Sequence, residues 1–206
     1  MTTAAVQPIE MTAAHLPEAA RALTRAFFDD PLVTWILPAE ARRSRPLTWF
    51  MTAASNYASN FGQPFTTAGR IDGAALWLPP GDAKVTTGRM VRTGMLAAPL
   101  RMGFGPFMRF MKAMNLFEKL HERDAPERHW YLMVLGVDPP RQGQGVGGSL
   151  IAPVLARADA EGLPCYLETL KTRNLDFYRK HGFEVVVEGD LPGGPHFWTM
   201  KRAPRA

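Results

Sequence analysis

At 206 residues the chain is long enough for one domain with a substantial core, and its 46% hydrophobic and 21% charged residues exclude a disordered or fibrous protein. No apolar run approaches the ~20 residues of a membrane-spanning helix, the N-terminus lacks the basic-then-apolar order of a signal peptide, and the lone Cys165 forms no internal disulfide, so a cytoplasmic protein is expected. The net charge of +5 is concentrated where Lys84, Arg89, Arg92, Arg101, Arg109 and Lys112 meet no acidic residue, which suits an anionic ligand, a nucleic acid or an anionic membrane surface.

A short strand over 6–11 is followed by Thr12, a helix-capping residue type. Leu16, Ala19, Ala20, Leu23 and Phe27 then recur at helical spacing. The Asp30-Pro31 step closes that helix, because a residue before proline avoids helical geometry. A second helix is predicted over 47–60, then two strands over 64–68 and 74–78 joined by a turn at Asp72-Gly73. The stretch 81–128 reads as a methionine-rich helical insertion. Phe107, Phe110, Met111 and Met114 form one apolar stripe on it that packs on the core, leaving the basic side chains in water. Two other uses of these residues stay open: a deformable wall or lid against an acceptor, and a helix lying on a membrane surface.

After Arg128 the pattern changes. The almost wholly apolar run 130–137 reads as a strand buried on both faces of a sheet. A glycine-rich loop leads into a helix over 145–161 with Val146, Leu150, Ile151, Val154, Leu155 and Ala158 on its buried face. Pro153 should bend that helix and Gly162 should stop it. A strand over 165–170, a short helix over 175–181 closed by Gly182, and strands over 183–188 and 197–201 complete a mixed α/β order.

The loop carries the chemistry. Gly143, Gly145, Gly147 and Gly148 at a strand-to-helix junction let successive N–H groups converge, with the positive end of the helix, on a phosphate or pyrophosphate. A P-loop would need a lysine before Ser149, yet Gly148 precedes it. Gly143, Gly145 and Gly148 do satisfy the dinucleotide fingerprint, with Glu168 about 20 residues on. Against it, Asp138 to Gln142 separate the first glycine from the strand, and too little chain remains after Glu168 for further strand–helix units.

A third pattern fits both the loop and the residues downstream of it. Gln142, Gly145 and Gly147 match the Gln/Arg-x-x-Gly-x-Gly/Ala loop of the GNAT acyltransferases. Leu167-Glu168-Thr169, Asn174, Phe177-Tyr178 and Gly182-Phe183 are similar to that family's second block in order and spacing. This half resembles the branch containing puromycin N-acetyltransferase, with a weaker likeness at Ala26-Phe27-Phe28-Asp29-Asp30-Pro31 and Ala75-Leu76-Trp77-Leu78. The resemblance implies an α/β GNAT fold: a central mixed sheet flanked by helices and splayed where the acyl-CoA enters. One domain would span 1–206, with a helical insertion at about 81–128 and an acyl-CoA-binding core at about 129–188.

The resemblance also implies acetyl-CoA or another acyl-CoA as co-substrate, a primary amine of a small molecule as acceptor, and direct attack without a covalent enzyme intermediate. Neither metal nor nucleic acid is implied, and homodimers are common in the family. Backbone N–H groups at Leu135, Gly136 and Val137 would face the acyl carbonyl and pantetheine arm, with Gly136 as a bulge that turns them inward. The amides of Gln142, Gly143, Gln144, Gly145, Val146, Gly147 and Gly148 would hold the pyrophosphate, with Arg141 adding charge. Asn174 matches a position that contacts the CoA arm, and could equally cap the 175–181 helix.

Tyr178 is expected to be the general acid, because a phenol with an ordinary pKa of ~10 can protonate a departing thiolate of ~8.5. Glu168 is the other catalytic candidate. The strand 130–137 has no carboxylate, so Glu168 would act as a distant base, orient the acceptor's ammonium, or anchor a loop. His15, His121, His129, His181 and His196 show no metal-ligand spacing, though His129 and His196 lie near strand ends that could reach an acceptor. The alternative from another class is a non-catalytic acyl-CoA-binding domain, and nucleic-acid binding through the basic segment is a third.

Overall fold

The computed structural model of the chain describes residues 6–81 and 87–205. Lys84 of the basic run lies outside them. Its strands are β1 (Pro8–Glu10), β2 (Gln63–Thr67), β3 (Gly73–Leu78), β4 (Trp130–Val137), β5 (Cys165–Thr169), β6 (Glu184–Asp190) and β7 (His196–Arg202). They form one sheet in the order β1-β2-β3-β4-β5-β7-β6, in which β4 and β5 run parallel and every other neighbouring pair antiparallel. The mixed sheet flanked by helices is the architecture expected from the sequence.

The alternation of β3 shows how the layers are built. Ala75 and Trp77 point into one core with Leu150, Ile151 and Val154, while Ala74 and Leu76 point into the other with Leu23, Leu47 and Met51. The first core is covered by α7 (Val146–Glu161) and α8 (Thr172–Lys180). The second lies under α1 (Leu16–Phe27), α2 (Pro31–Ile36) and α3 (Glu40–Phe61). The insertion forms α4 (Thr87–Arg92), α5 (Ala98–Met102) and α6 (Phe104–Asp124), and α6 covers the β7 end of the α1 face through Ala113, Phe117 and Leu120.

Several elements differ from the sequence reading. Asp30-Pro31 does end α1, but it also starts α2. The Asp30 carboxylate accepts from Leu32 N at 3.0 Å, and Pro31 takes the first helical position, where no N–H is needed. The helix predicted from 47 begins at Glu40 and runs through Pro46. Tertiary contacts hold that first stretch: the Arg43 guanidinium is buried and donates to the carbonyls of Leu37 (2.9 Å) and Phe28 (3.1 Å).

The expected apolar stripe Phe107, Phe110, Met111 and Met114 is only half-buried; the wholly buried positions of α6 are Ala113, Phe117 and Leu120. Its basic side chains are not simply solvated either. Arg109 donates to Ile36 O at 3.0 Å and Lys112 to Pro192 O at 2.7 Å. No helix among the described residues is long and apolar enough to cross a membrane.

Candidate active site

The strand read as buried on both faces is not. In β4 only Trp130, Leu132 and Gly136 are fully buried, and Tyr131, Met133, Val134, Leu135 and Val137 are half-buried. The cause is a break in the sheet. β4 pairs with β5 only at Trp130–Cys165 and Tyr131–Tyr166, although β4 continues to Val137 and β5 to Thr169. On its other edge β4 stays paired with β3 as far as Gly73–Val137. The apolar side chains of 132–137 therefore border a gap between the two strands.

Gly136 stands on that strand for a different reason from the one expected. The β4 bulge lies between the Leu132–Trp77 and Val134–Leu76 pairs, at Met133, whereas Gly136 pairs regularly with Ala74. A Cβ on Gly136 would stand 2.7 Å from Leu23, 2.9 Å from Phe27 and 3.1 Å from Ala26. Its bare backbone is what lets α1 approach β4.

Beyond Val137 the chain makes a short 3-10 turn at Pro139–Arg141 and enters the glycine loop. Gly143 (φ 75°) and Gly145 (φ 81°) take the left-handed conformation that β-carbons disfavour. Gly145 is the N-cap of α7 and no side chain caps that helix. Among the amides from Gly143 to Ser149, the first that makes a cap hydrogen bond is Ser149, to Gly145 O at 3.1 Å. The N–H groups of Val146, Gly147 and Gly148 thus stand at the positive end of α7 with their donors free for an anion. Gly147 and Gly148 face α8: a Cβ on either would come within 3.3 Å of the Phe177 or the His181 ring.

The polar side chains of the loop hold the loop itself. Gln142 Nε2 donates to Val137 O and Gln144 Nε2 to Pro140 O, each at 3.0 Å. Arg141, expected to add charge for the pyrophosphate, donates its Nε to Asp72 Oδ2 at 3.0 Å. Asp138 anchors the same segment. It accepts two hydrogen bonds from Arg25 of α1, and the guanidinium holds its carboxyl below the usual carboxylate range. Sequence reasoning missed Arg25 and Asp138 as anchors of the loop, and read Asp72 only as part of the Asp72-Gly73 turn.

At the open end of β5, Lys171 pairs with the buried Asp30 carboxylate at 3.4 Å and so ties the start of α8 to the start of α2. Burial holds Asp30 above the usual range, and its charge adds to the burial that pushes the Tyr178 phenol well above its ordinary value. Tyr178 packs in the α7–α8 core with Leu167 and Phe183. Asn174 is not a helix cap: it lies inside the first turn of α8, three residues after the cap Lys171, and donates to Thr169 Oγ1 at 3.0 Å. It bonds the end of β5.

Glu168 alternates with Leu167 and so faces the opposite side of the sheet from Tyr178. Its Oε2 accepts from the Tyr131 hydroxyl at 2.8 Å, while its Oε1 is buried without a partner among the described residues. Burial pushes its pKa up to about 7. Beside it, His121 stacks on Tyr166 at 4.5 Å and shares an Nε2–Nε2 hydrogen bond of 2.6 Å with His129. Burial holds both imidazoles below the usual histidine range, and for His121 the neighbouring His129 adds to it. His196, by contrast, pairs with Asp190 at the surface. Among the described residues no three His, Cys, Asp or Glu side chains converge as metal ligands.

Residues 108–183 match the Acetyltransferase (GNAT) family. An uncharacterized N-acetyltransferase of Schizosaccharomyces pombe is 31% identical over 173 residues, which is 81% of this chain and 69% of that protein. Among solved structures, one from Corynebacterium glutamicum described as "histone acetyltransferase HPA2 and related acetyltransferase" has a TM-score of 0.67 at 23% identity, over 98% of this chain and 97% of its own. The polyamine N-acetyltransferase of Drosophila melanogaster has a TM-score of 0.66 at 17% identity, over 96% and 99%. At those identities the two structures establish the fold. The yeast relative, similar over most of both chains, and the match across the loop and α8 establish descent: the chain belongs to the GNAT acetyltransferase family and is an N-acetyltransferase of that type.

Proposed function

We propose that this enzyme transfers an acetyl group from acetyl-CoA to the primary amine of a small molecule by direct attack, with the whole chain as one acyltransferase domain. The observation that carries this reading is the gap between β4 and β5 beside the uncapped start of α7. The free edge of β4 over Leu135, Gly136 and Val137 receives the pantetheine arm and the acyl carbonyl, and the amides from Gly143 to Gly148 receive the pyrophosphate. Gln142, Gln144, Arg141 and Asn174 serve by holding the loop and the end of β5 in shape.

The acceptor amine must be neutral to attack. Glu168, with a buried partnerless oxygen and a pKa of about 7, takes the amine proton as the C–N bond forms. When the tetrahedral adduct collapses the C–S bond breaks, and Tyr178 gives its proton to the departing thiolate. Tyr178 regains a proton and Glu168 loses one to solvent, so the cycle balances. Cys165 is fully buried and its pKa is pushed up to about 12, so it remains a thiol, which supports transfer without an acyl-enzyme.

The test is thermal stability with acetyl-CoA, CoA, NAD and ATP in separate samples, followed by mass spectrometry of a panel of primary amines incubated with enzyme and acetyl-CoA. Acetyl-CoA and CoA should each stabilise by ~2.7 kcal/mol at a hundred times their dissociation constants, and at least one amine should gain an acetyl group. A shift with NAD alone, or a panel that stays unmodified, overturns the proposal.

A further inference from the structure

A groove of about 650 Å³ runs between α2, α6 and the turn joining β6 to β7, a volume in the range of small-molecule sites. Trp35, Met108, Met111 and Pro192 supply its apolar surface, and Arg109 and Lys112, one turn apart on α6, supply its charge. None of its lining residues is acidic. Its walls are tied together by backbone carbonyls: Trp35 Nε1 donates to Gly193 O and Lys112 Nζ to Pro192 O, each at 2.7 Å, and Arg109 donates to Ile36 O at 3.0 Å. Among the described residues neither cation is paired with a carboxylate.

The groove lies on the Glu168 side of the sheet. Trp35 and Leu170 pack against the same buried cluster of Ala113, Phe117, Leu120, Leu191 and Phe197, and Leu170 is the residue that leaves β5 at the open end of the gap. Resting on the acetyl transfer to an amine proposed above, we infer that this groove receives the body of the acceptor, and that the acceptor is an apolar monoamine carrying an anionic group away from its amine. An apolar body removes Trp35, Met108 and Met111 from water. Covering Arg109 and Lys112 with apolar atoms alone would strip their hydration uncompensated, whereas an acidic group on the ligand replaces it. A second ammonium, as in a polyamine, would meet two like charges in a low-dielectric wall.

Three arylalkylamines of one shape test this: phenethylamine carrying a para carboxylate, a para hydrogen or a para trimethylammonium. Binding is measured by calorimetry in the presence of saturating CoA, and transfer by mass spectrometry with acetyl-CoA. The carboxylate should bind about tenfold more tightly than the trimethylammonium, with the neutral amine between them. Lys112→Met, which keeps the aliphatic stem, should narrow that span, and Lys112→Glu should narrow it further or reverse it. Equal binding of the three, no binding of any, or a ranking untouched in both variants overturns the inference. Charge-ranked binding without transfer would overturn the proposed reaction and leave the groove standing; transfer without charge ranking would do the opposite.

Discussion

Arg25 and Asp138, 113 positions apart in the chain, meet in two parallel hydrogen bonds of 2.8 Å, Nε to Oδ1 and Nη2 to Oδ2. The pair joins α1 to the turn that launches the glycine loop, so it fixes where the α7 amides point. Asp138→Asn should leave a donor facing the guanidinium, lower stability by about 1–2 kcal/mol and raise the KM for acetyl-CoA several-fold. The carboxyl is held below its ordinary range, so its contribution is present above about pH 4 and disappears as pH falls through its folded value. Thermal melts of the two proteins should therefore converge toward pH 3. A constant difference across pH would show that the charge is not what matters.

Gly136→Ala places a methyl among Leu23, Phe27 and Ala26, where the nearest atom is 2.7 Å away. The protein must move α1 off β4 or strain both, at a cost of about 1–3 kcal/mol. Chemical denaturation would measure it. Because α1 carries Arg25, acetyl-CoA affinity should fall in the same variant. A neutral effect on stability would mean that α1 rides further from the sheet than these distances require.

Tyr178→Phe keeps the ring packed against Phe183 and removes only the hydroxyl. If the phenol protonates the thiolate, kcat should drop by roughly 10²- to 10⁴-fold while acetyl-CoA affinity stays within a few-fold. A leaving group that needs no acid, such as an aryl thioester, should recover much of the rate. Unchanged turnover would remove Tyr178 from the chemistry.

If Glu168 is the base, kcat/KM of the wild type should rise with pH around 7, the value to which burial pushes this carboxyl, and Glu168→Gln should abolish that rise. The stability effect has the opposite sign to that of Asp138. A raised folded pKa favours the protonated form, so stability is highest below the ordinary glutamate range and is lost as pH climbs from about 4.5 through 7. Relative to wild type, Glu168→Gln should thus gain on the order of 1–3 kcal/mol between pH 5 and pH 8. A pH–rate profile that is the same with and without the carboxylate would assign the base elsewhere.

The half of the chain from β4 to β6 was legible because its signals are local: an apolar run, a glycine cluster at its end, and a helical stripe closed by Gly162. What escaped was set by distance or brevity. Pro31–Ile36 is too short to show a helical period, and its proline reads as a stop although Asp30 makes it a start. Pro46 hid the first turns of α3, whose support comes from carbonyls that Arg43 reaches across a corner. The strand β4 misled because side chains bordering a gap are as apolar as those of a closed core. The pairs Arg25–Asp138, Lys171–Asp30 and Tyr131–Glu168 join residues that no spacing rule connects. The loop residues Arg141, Gln142 and Gln144, and Asn174 of α8, were found by pattern, and their side chains bond the protein's own backbone and neighbours.

The two rungs at Trp130–Cys165 and Tyr131–Tyr166 are the whole ladder between β1–β4 and β5–β7. Shear between the halves is resisted there by very few hydrogen bonds, so the sheet has a seam, and that seam is the place where the chemistry is proposed to happen. A molecule lodged in it would act as a strut as well as a reactant. Amide exchange in β6 and β7, which are remote from the loop, should then slow when acetyl-CoA binds, because the weakest line of the architecture has been braced.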